Sequence, residues 1–279
     1  MTSTRPARPL VWGALLAYAA AFALMNSASV LLVLGVALER NSGSRARLPE
    51  EAESFSLSAS GVMSVALVNA TVLLLVAFFA AGRRGGHVWT TLRLGPTRAS
   101  PIGFAAAIAG MMGLSFACGS ASDLLGVRGS GVMEKVARAL EMPTPAAFLF
   151  AVAAIGLAPG FAEETFFRGL IQPWLRSRWA RWPSIVATSV GFGVMHGDPV
   201  QGSLTFVAGL FLGWTAERFG GVRPTIAAHA VNNAIFVALS SLGSSETPSR
   251  RVQTALLAIG AASFAASVAV LRGPRAIEA

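Results

Sequence analysis

The chain has 279 residues, of which 54% are apolar and only 13% charged, about half the charge usual in a soluble domain. So little charge cannot cover a water-facing surface, and lipid is the natural solvent for such a chain. The net charge of +9 comes from arginines set in short gaps between apolar runs, with Lys135 the single lysine. No basic stripe interleaved with aromatics is present, which excludes nucleic acid as a partner. One cysteine, Cys118, lies inside an apolar run, so there is neither an intrachain disulfide nor a cysteine-based metal cluster.

Arg5 and Arg8 precede an apolar stretch, and Ala21-Phe22-Ala23 has the small-x-small pattern of a leader cleavage site. The stretch nevertheless runs from Leu10 to about Leu38. That is too long for a signal core and reads as a first membrane helix. Further spans of roughly 20 apolar residues fall near 57–81, 101–121, 145–172, 183–198, 200–217, 222–241 and 253–271. The expectation is an all-α, polytopic membrane bundle of about eight helices forming one integral membrane domain over 1–279. Of the 22 basic residues, 14 fall at the N-terminus, the even loops and the C-terminus, against 8 in the odd loops. The positive-inside rule then puts both termini in the cytoplasm. Residues 39–56 form an acidic outer segment with Glu39, Glu50, Glu51 and Glu53, and 122–144 combine Gly126, Gly129 and Gly131 with an amphipathic stretch from Met133 to Leu140. Residues 169–181, with Leu170, Trp174, Leu175, Trp179 and Arg176, Arg178, Arg181, read as an interfacial helix. Gly209-x-x-x-Gly213 permits close helix contact, here within the chain.

Ionisable groups inside membrane helices are costly, roughly 2.5–3.5 kcal/mol each on insertion scales, and they concentrate in the second half of this chain. Glu163 and Glu164 interrupt the fourth span, His196 ends the fifth, and His229 and Asn233 occupy the seventh. Adjacent helical residues point about 100° apart, so the two glutamates have different surroundings. Glu164 and Arg168 are spaced i,i+4 with the acid first, the favourable order for a pair, which leaves Glu163 as the freer carboxylate. Phe192 lies one turn before His196 and can shield one side of its ring. His229 and Asn233, also i,i+4, share one helix side. Counted along their helices, Glu163, His196 and His229 lie roughly 13, 20 and 11 Å from the cytoplasmic boundary, so they can meet in one cavity. A carboxylate with a histidine can activate water, and a second histidine with an amide can stabilise an oxyanion. HExxH, GxSxG and paired membrane aspartates are all missing from the sequence.

Glu163-Glu164-x-x-x-Arg168, Phe192-x-x-x-His196 and His229-x-x-x-Asn233, in this order and at these separations, resemble the signature motifs of the CAAX-protease and bacteriocin-processing (CPBP, Abi) family. The resemblance covers about residues 95–241, the family-type protease core; 1–94 and 242–279 resemble it only as flanking membrane helices. It implies a CAAX-prenyl-protease-like helical fold in a bacterial inner (cytoplasmic) membrane and an intramembrane endopeptidase, glutamate-dependent or metal-assisted. Glu163 and His196 would activate water, His229 and Asn233 would form the oxyanion hole, and Glu164, Arg168 and Phe192 would support the site. No cofactor is expected; the alternative is zinc held by Glu163, His196 and His229, a three-ligand catalytic set. The implied partners are the lipid bilayer and a membrane-anchored or C-terminally tagged protein substrate. The alternative function is a non-catalytic immunity or scaffold protein of the same fold. A transporter would more often show repeated halves, whereas here the first half is apolar and the second polar.

Overall fold

The computed structural model describes residues 11–40, 47–127, 132–140, 144–242 and 248–277; Arg5, Arg8, Gly129 and Gly131 lie outside the described residues. Among these the only pairing of extended backbone is an isolated antiparallel bridge between Ala99 and Ile277; the rest of the regular structure is helical. In chain order the helices are α1 (Val11–Arg40), α2 (Leu48–Ser56), α3 (Ala59–Gly82), α4 (Val88–Thr91), α5 (Pro101–Leu124) and α6 (Val132–Ala139). They continue with α7 (Pro145–Arg176), α8 (Arg181–Met195), α9 (Pro199–Phe219), α10 (Arg223–Ser241) and α11 (Arg250–Arg272).

Capping residues decide where several of these begin. Ser100, Thr144 and Asp198 each precede a proline, and each accepts a side-chain hydrogen bond from the backbone N–H three residues on. The cap satisfies a donor that the helix cannot, and proline at the first helical position needs none. Ser58 caps α3 in the same way at 3.1 Å. The α9 end is set by Gly220, at φ 72°, a left-handed conformation that glycine adopts without a Cβ clash.

Among the described residues five helices, α1, α3, α5, α7 and α11, are long and apolar enough to cross a membrane, not the eight or so expected. The chain is thus a multi-pass helical membrane protein, and the difference lies in α8, α9 and α10. Helix α8 has 15 residues, about 22 Å, short of a hydrocarbon core of about 30 Å. The other two have 21 and 19 residues, but Gln201, Glu217 and Arg218 in one, and His229, Asn232 and Asn233 in the other, lower their apolar character. Helix α1 shows the opposite case: Leu16 and Leu31 are each 70% exposed, as suits a lipid-facing helix.

The interfacial helix expected over 169–181 is also corrected. Helix α7 continues to Arg176, and Leu170, Trp174 and Leu175 are buried. They pack with Phe166, Phe167 and Phe192 against α1 and α3. Trp174 fills the space over Gly13, where a Cβ would lie 3.2 Å from its ring. A second core joins α5, α9 and α11 through Met111, Leu114, Phe211, Phe219 and Leu271. Gly209 and Gly213 make their close contacts within the chain, Gly209 against Ser189 and Arg168, Gly213 against Gln172 and Ile185.

Candidate active site

Helix α7 is irregular where it matters. Val152–Leu157 and Thr165–Ile171 have π geometry and flank an α-helical segment, Ala158–Glu164, that ends on the two glutamates. π-turns widen the hydrogen-bond ladder and turn the helix face locally. Small residues then bring α10 close: a Cβ on Gly160 would lie 2.9 Å from the Cα and N of Ala230, and one on Gly156 3.2 Å from those of Ala234. This backbone-level contact sets the residues of α10 directly beside the carboxylates of α7.

The two carboxylates differ as their 100° separation requires. Glu164 and Arg168 have fully buried side chains, and Arg168 Nη1 donates to Glu164 Oε1 at 2.9 Å. The guanidinium also lies 4.4 Å from the Phe192 ring centroid, and its Nη2 donates to the Gly209 carbonyl at 3.3 Å. A buried charge is tolerated only when paired and hydrogen-bonded, and this arginine is enclosed on each side. The Glu163 side chain is 20% exposed, and its Oε2 has no hydrogen-bond partner among the described residues.

His229 joins both. Its Nδ1 is 3.0 Å from Glu164 Oε1 and its Nε2 is 3.8 Å from Glu163 Oε2. The first is a hydrogen bond and the second is beyond that range. Since an ionised carboxylate only accepts, Nδ1 carries the proton given to Glu164. Phe192 stands between the two histidines, its centroid 5.9 Å from the His229 ring and 4.9 Å from the His196 ring. His196 lies just past the end of α8, and its own backbone N–H turns to Gly193. The Phe192 carbonyl, left without its helical donor, instead takes the His196 Nδ1–H at 2.8 Å. A carbonyl cannot donate, so Nδ1 carries the proton of this bond, and in the neutral imidazole Nε2 is the free acceptor nitrogen.

Asn233 is half-buried, and its Nδ2 donates to the Ile155 carbonyl, inside the first π stretch, at 3.4 Å. Asn232 Nδ2 donates to Asn233 Oδ1 at 3.3 Å. Glu163, Glu164, Arg168 and His229 therefore meet directly, Phe192 links them to His196, and Asn233 lies one turn beyond His229. His196 is not within hydrogen-bond distance of Glu163. Among the described residues no group of three or more His, Cys, Asp or Glu side chains is arranged to hold a metal ion, so Glu163, His196 and His229 do not assemble as a three-ligand zinc set.

Sequence reading missed the His229–Glu164 bond, which spans 65 positions. It also missed the close approach of α7 to α10, although Gly156-x-x-x-Gly160 was a visible signal for it. A further polar hub went unread: Glu217 accepts from Arg93 at 3.1 Å, Gln172 at 3.1 Å and Arg176 at 3.2 Å, tying α9 to the end of α7.

The fold and this centre define a polytopic membrane helix bundle with carboxylate and imidazole groups buried against each other. Residues 145–235 match the family described as Rce1-like, type II CAAX prenyl endopeptidase Rce1-like; a CAAX-protease-like domain is thus detected over the segment that carries every residue of the centre. No curated protein and no solved structure matches the chain.

Proposed function

We propose that the chain is an intramembrane endopeptidase acting on a membrane-anchored or C-terminally tagged protein. The supporting observation is the convergence of Glu163 and Glu164 of α7 with His229 of α10, at 3.8 and 3.0 Å, inside the segment that matches a prenyl-endopeptidase family. Glu163 is the partly exposed carboxylate, and its Oε2 has no hydrogen-bond partner among the described residues. With Nε2 of His196 it takes a proton from the attacking water as the water oxygen bonds to the scissile carbonyl carbon. The carbonyl oxygen becomes an oxyanion, which accepts hydrogen bonds from His229 Nε2 and the Asn233 amide. His229 donates there as the imidazolium, because its Nδ1–H is spent on Glu164. The tetrahedral carbon then expels the amine, which leaves with the proton held by Glu163 and His196. Glu164 and Arg168 hold the His229 ring, and Phe192 spaces the two imidazoles. The excess of basic residues at the ends of the chain and in the even loops supports a bacterial inner-membrane protein with both termini on the cytoplasmic side.

The test compares the termini of membrane and secreted proteins from cells expressing wild type or Glu163→Ala at matched levels. The expected result is a small set of proteins whose new terminus disappears in the variant. Identical terminal profiles, with Glu163→Ala rescuing a deletion phenotype, would replace the peptidase with a non-catalytic immunity or scaffold protein.

A further inference from the structure

Helix α10 carries two amides beside the centre, and the reaction described above uses one of them. Asn232 and Asn233 follow His229 by three and four positions, so both lie one turn on from the imidazole, flanking its direction on the helix. Both are half-buried. A polar side chain drawn out of water costs free energy unless it is bonded, and Asn232 bonds to its neighbour: Asn232 Nδ2 donates to Asn233 Oδ1 at 3.3 Å.

The two ends of a carboxamide have the same shape and opposite polarity. Which end of Asn233 meets a developing oxyanion is therefore decided by its partners. The Ile155 carbonyl only accepts, and it takes one N–H of Asn233 Nδ2 at 3.4 Å. That bond is long for its type, so it holds the amide weakly by itself. Asn232 acts at the other end, where its Nδ2 only donates and so requires Asn233 Oδ1. Each contact rejects the flipped amide, which would set Oδ1 against the Ile155 carbonyl and Nδ2 against Nδ2. With both contacts in place, the second N–H of Asn233 Nδ2 is left to the oxyanion.

We propose that Asn232 is a positioning residue that fixes the orientation of the Asn233 amide, so that Nδ2 and not Oδ1 faces the oxyanion. The consequence for rate rests on the peptidase reading; the orientation itself is readable without catalysis.

Two measurements test this. In the first, the purified chain cleaves the substrate found by the terminus comparison, as wild type, Asn232→Leu and Asn232→Asp. An oxyanion contact acts in the transition state, so kcat should fall while KM stays within about twofold. Asn232→Leu removes one neutral hydrogen bond and should lower kcat roughly fivefold. Asn232→Asp keeps the shape, but its ionised carboxylate only accepts, so it draws Asn233 Nδ2 to itself and turns Oδ1 to the site. As pH rises from about 6 to 9 its kcat should approach about 100-fold below wild type, the loss of one oxyanion donor, and it should recover as pH falls and the new carboxyl regains a proton to donate. Division by wild type at each pH removes the titrations the two share, those of Glu163, Glu164, His229 and His196, beside the permanent charge of Arg168. Equal and pH-independent ratios for the two variants overturn the proposal. So does a loss in Asn232→Leu as large as in Asn233→Leu, which would make Asn232 an oxyanion donor itself.

The second measurement needs no substrate. The chain has five asparagines, so isotope labelling of asparagine leaves few side-chain amide signals in an NMR spectrum. Asn233 should give one sharp NH2 pair in wild type, and in Asn232→Leu a second pair or exchange broadening from the second orientation. A single sharp pair in Asn232→Leu overturns the proposal whatever the chain cleaves. Two orientations in Asn232→Leu, with no cleavage by wild type, keep Asn232 as the orienting residue and remove the peptidase reading alone. If Asn232→Asp does not fold, Asn232→Leu carries both measurements.

Discussion

Gly160→Ala probes the contact on which the centre rests. The new methyl carbon would meet the Cα and N of Ala230 at 2.9 Å and its Cβ at 3.1 Å. Carbon atoms settle at about 3.5–4.0 Å, so α10 must retreat by roughly 0.6–1 Å. His229 is the residue before Ala230, and its Nδ1 now lies 3.0 Å from Glu164. The same retreat stretches that bond to about 3.6–4.0 Å, outside hydrogen-bond range. Overpacking of this kind costs about 1–3 kcal/mol of stability, whereas misplacing a catalytic group by about 1 Å can cost around 100-fold in rate. Activity should therefore fall much further than stability. Gly156→Ala, which meets Ala234 at 3.2–3.3 Å, should be milder in both. The assay pairs the yield of the cleaved terminus with thermal unfolding of purified protein. If Gly160→Ala leaves the yield within twofold of wild type, the geometric link between helix spacing and function is wrong.

Three further outcomes follow from the same contacts. Arg168→Ala leaves the Glu164 carboxylate buried beside His229 without its guanidinium, and should destabilise the protein by about 3–5 kcal/mol; the double change Glu164→Gln with Arg168→Met should be less damaging in the same unfolding assay, since no uncompensated charge remains. Glu217→Ala removes the acceptor shared by Arg93, Gln172 and Arg176 and should cost about 1–3 kcal/mol, measured by thermal unfolding, with little effect on terminus yield if the hub only braces α7. Tyr18→Phe deletes the hydrogen bond from its hydroxyl to the Gly191 carbonyl at 2.9 Å, and a loss of about 1 kcal/mol in the same measurement is expected.

Much of the molecule was legible in the chain itself. Low charge and long apolar runs imply helices in lipid, because each backbone polar group in hydrocarbon must be satisfied within its own segment. Ser100-Pro101, Thr144-Pro145 and Asp198-Pro199 mark helix starts by local hydrogen bonding alone. The spacing of Glu164 and Arg168 anticipates their contact for the same reason: helical period is a property of one segment. The count of crossing helices was less secure, since α8 is short, with 15 residues, and α9 and α10 carry polar residues, Glu217 and Arg218 in one and His229, Asn232 and Asn233 in the other, that dilute the apolar signature used to find spans. Residues 169–181 misled in the opposite direction: arginine and tryptophan at their end suggest an interface, but Trp174 is covered by α1 and α3.

What only the tertiary structure decided is which faces meet. Glu164 and His229 are joined because Gly160 admits Ala230 to backbone distance. His196 has its tautomer set because α8 stops at Met195 and leaves the Phe192 carbonyl open, and Glu217 gathers Arg93, Gln172 and Arg176 from two other segments. Hydropathy and helical period act over a few turns of one segment and are written in its residues. The pairing of helices depends on the shapes of two surfaces at once, and one residue's identity carries little of that until the other surface is in place.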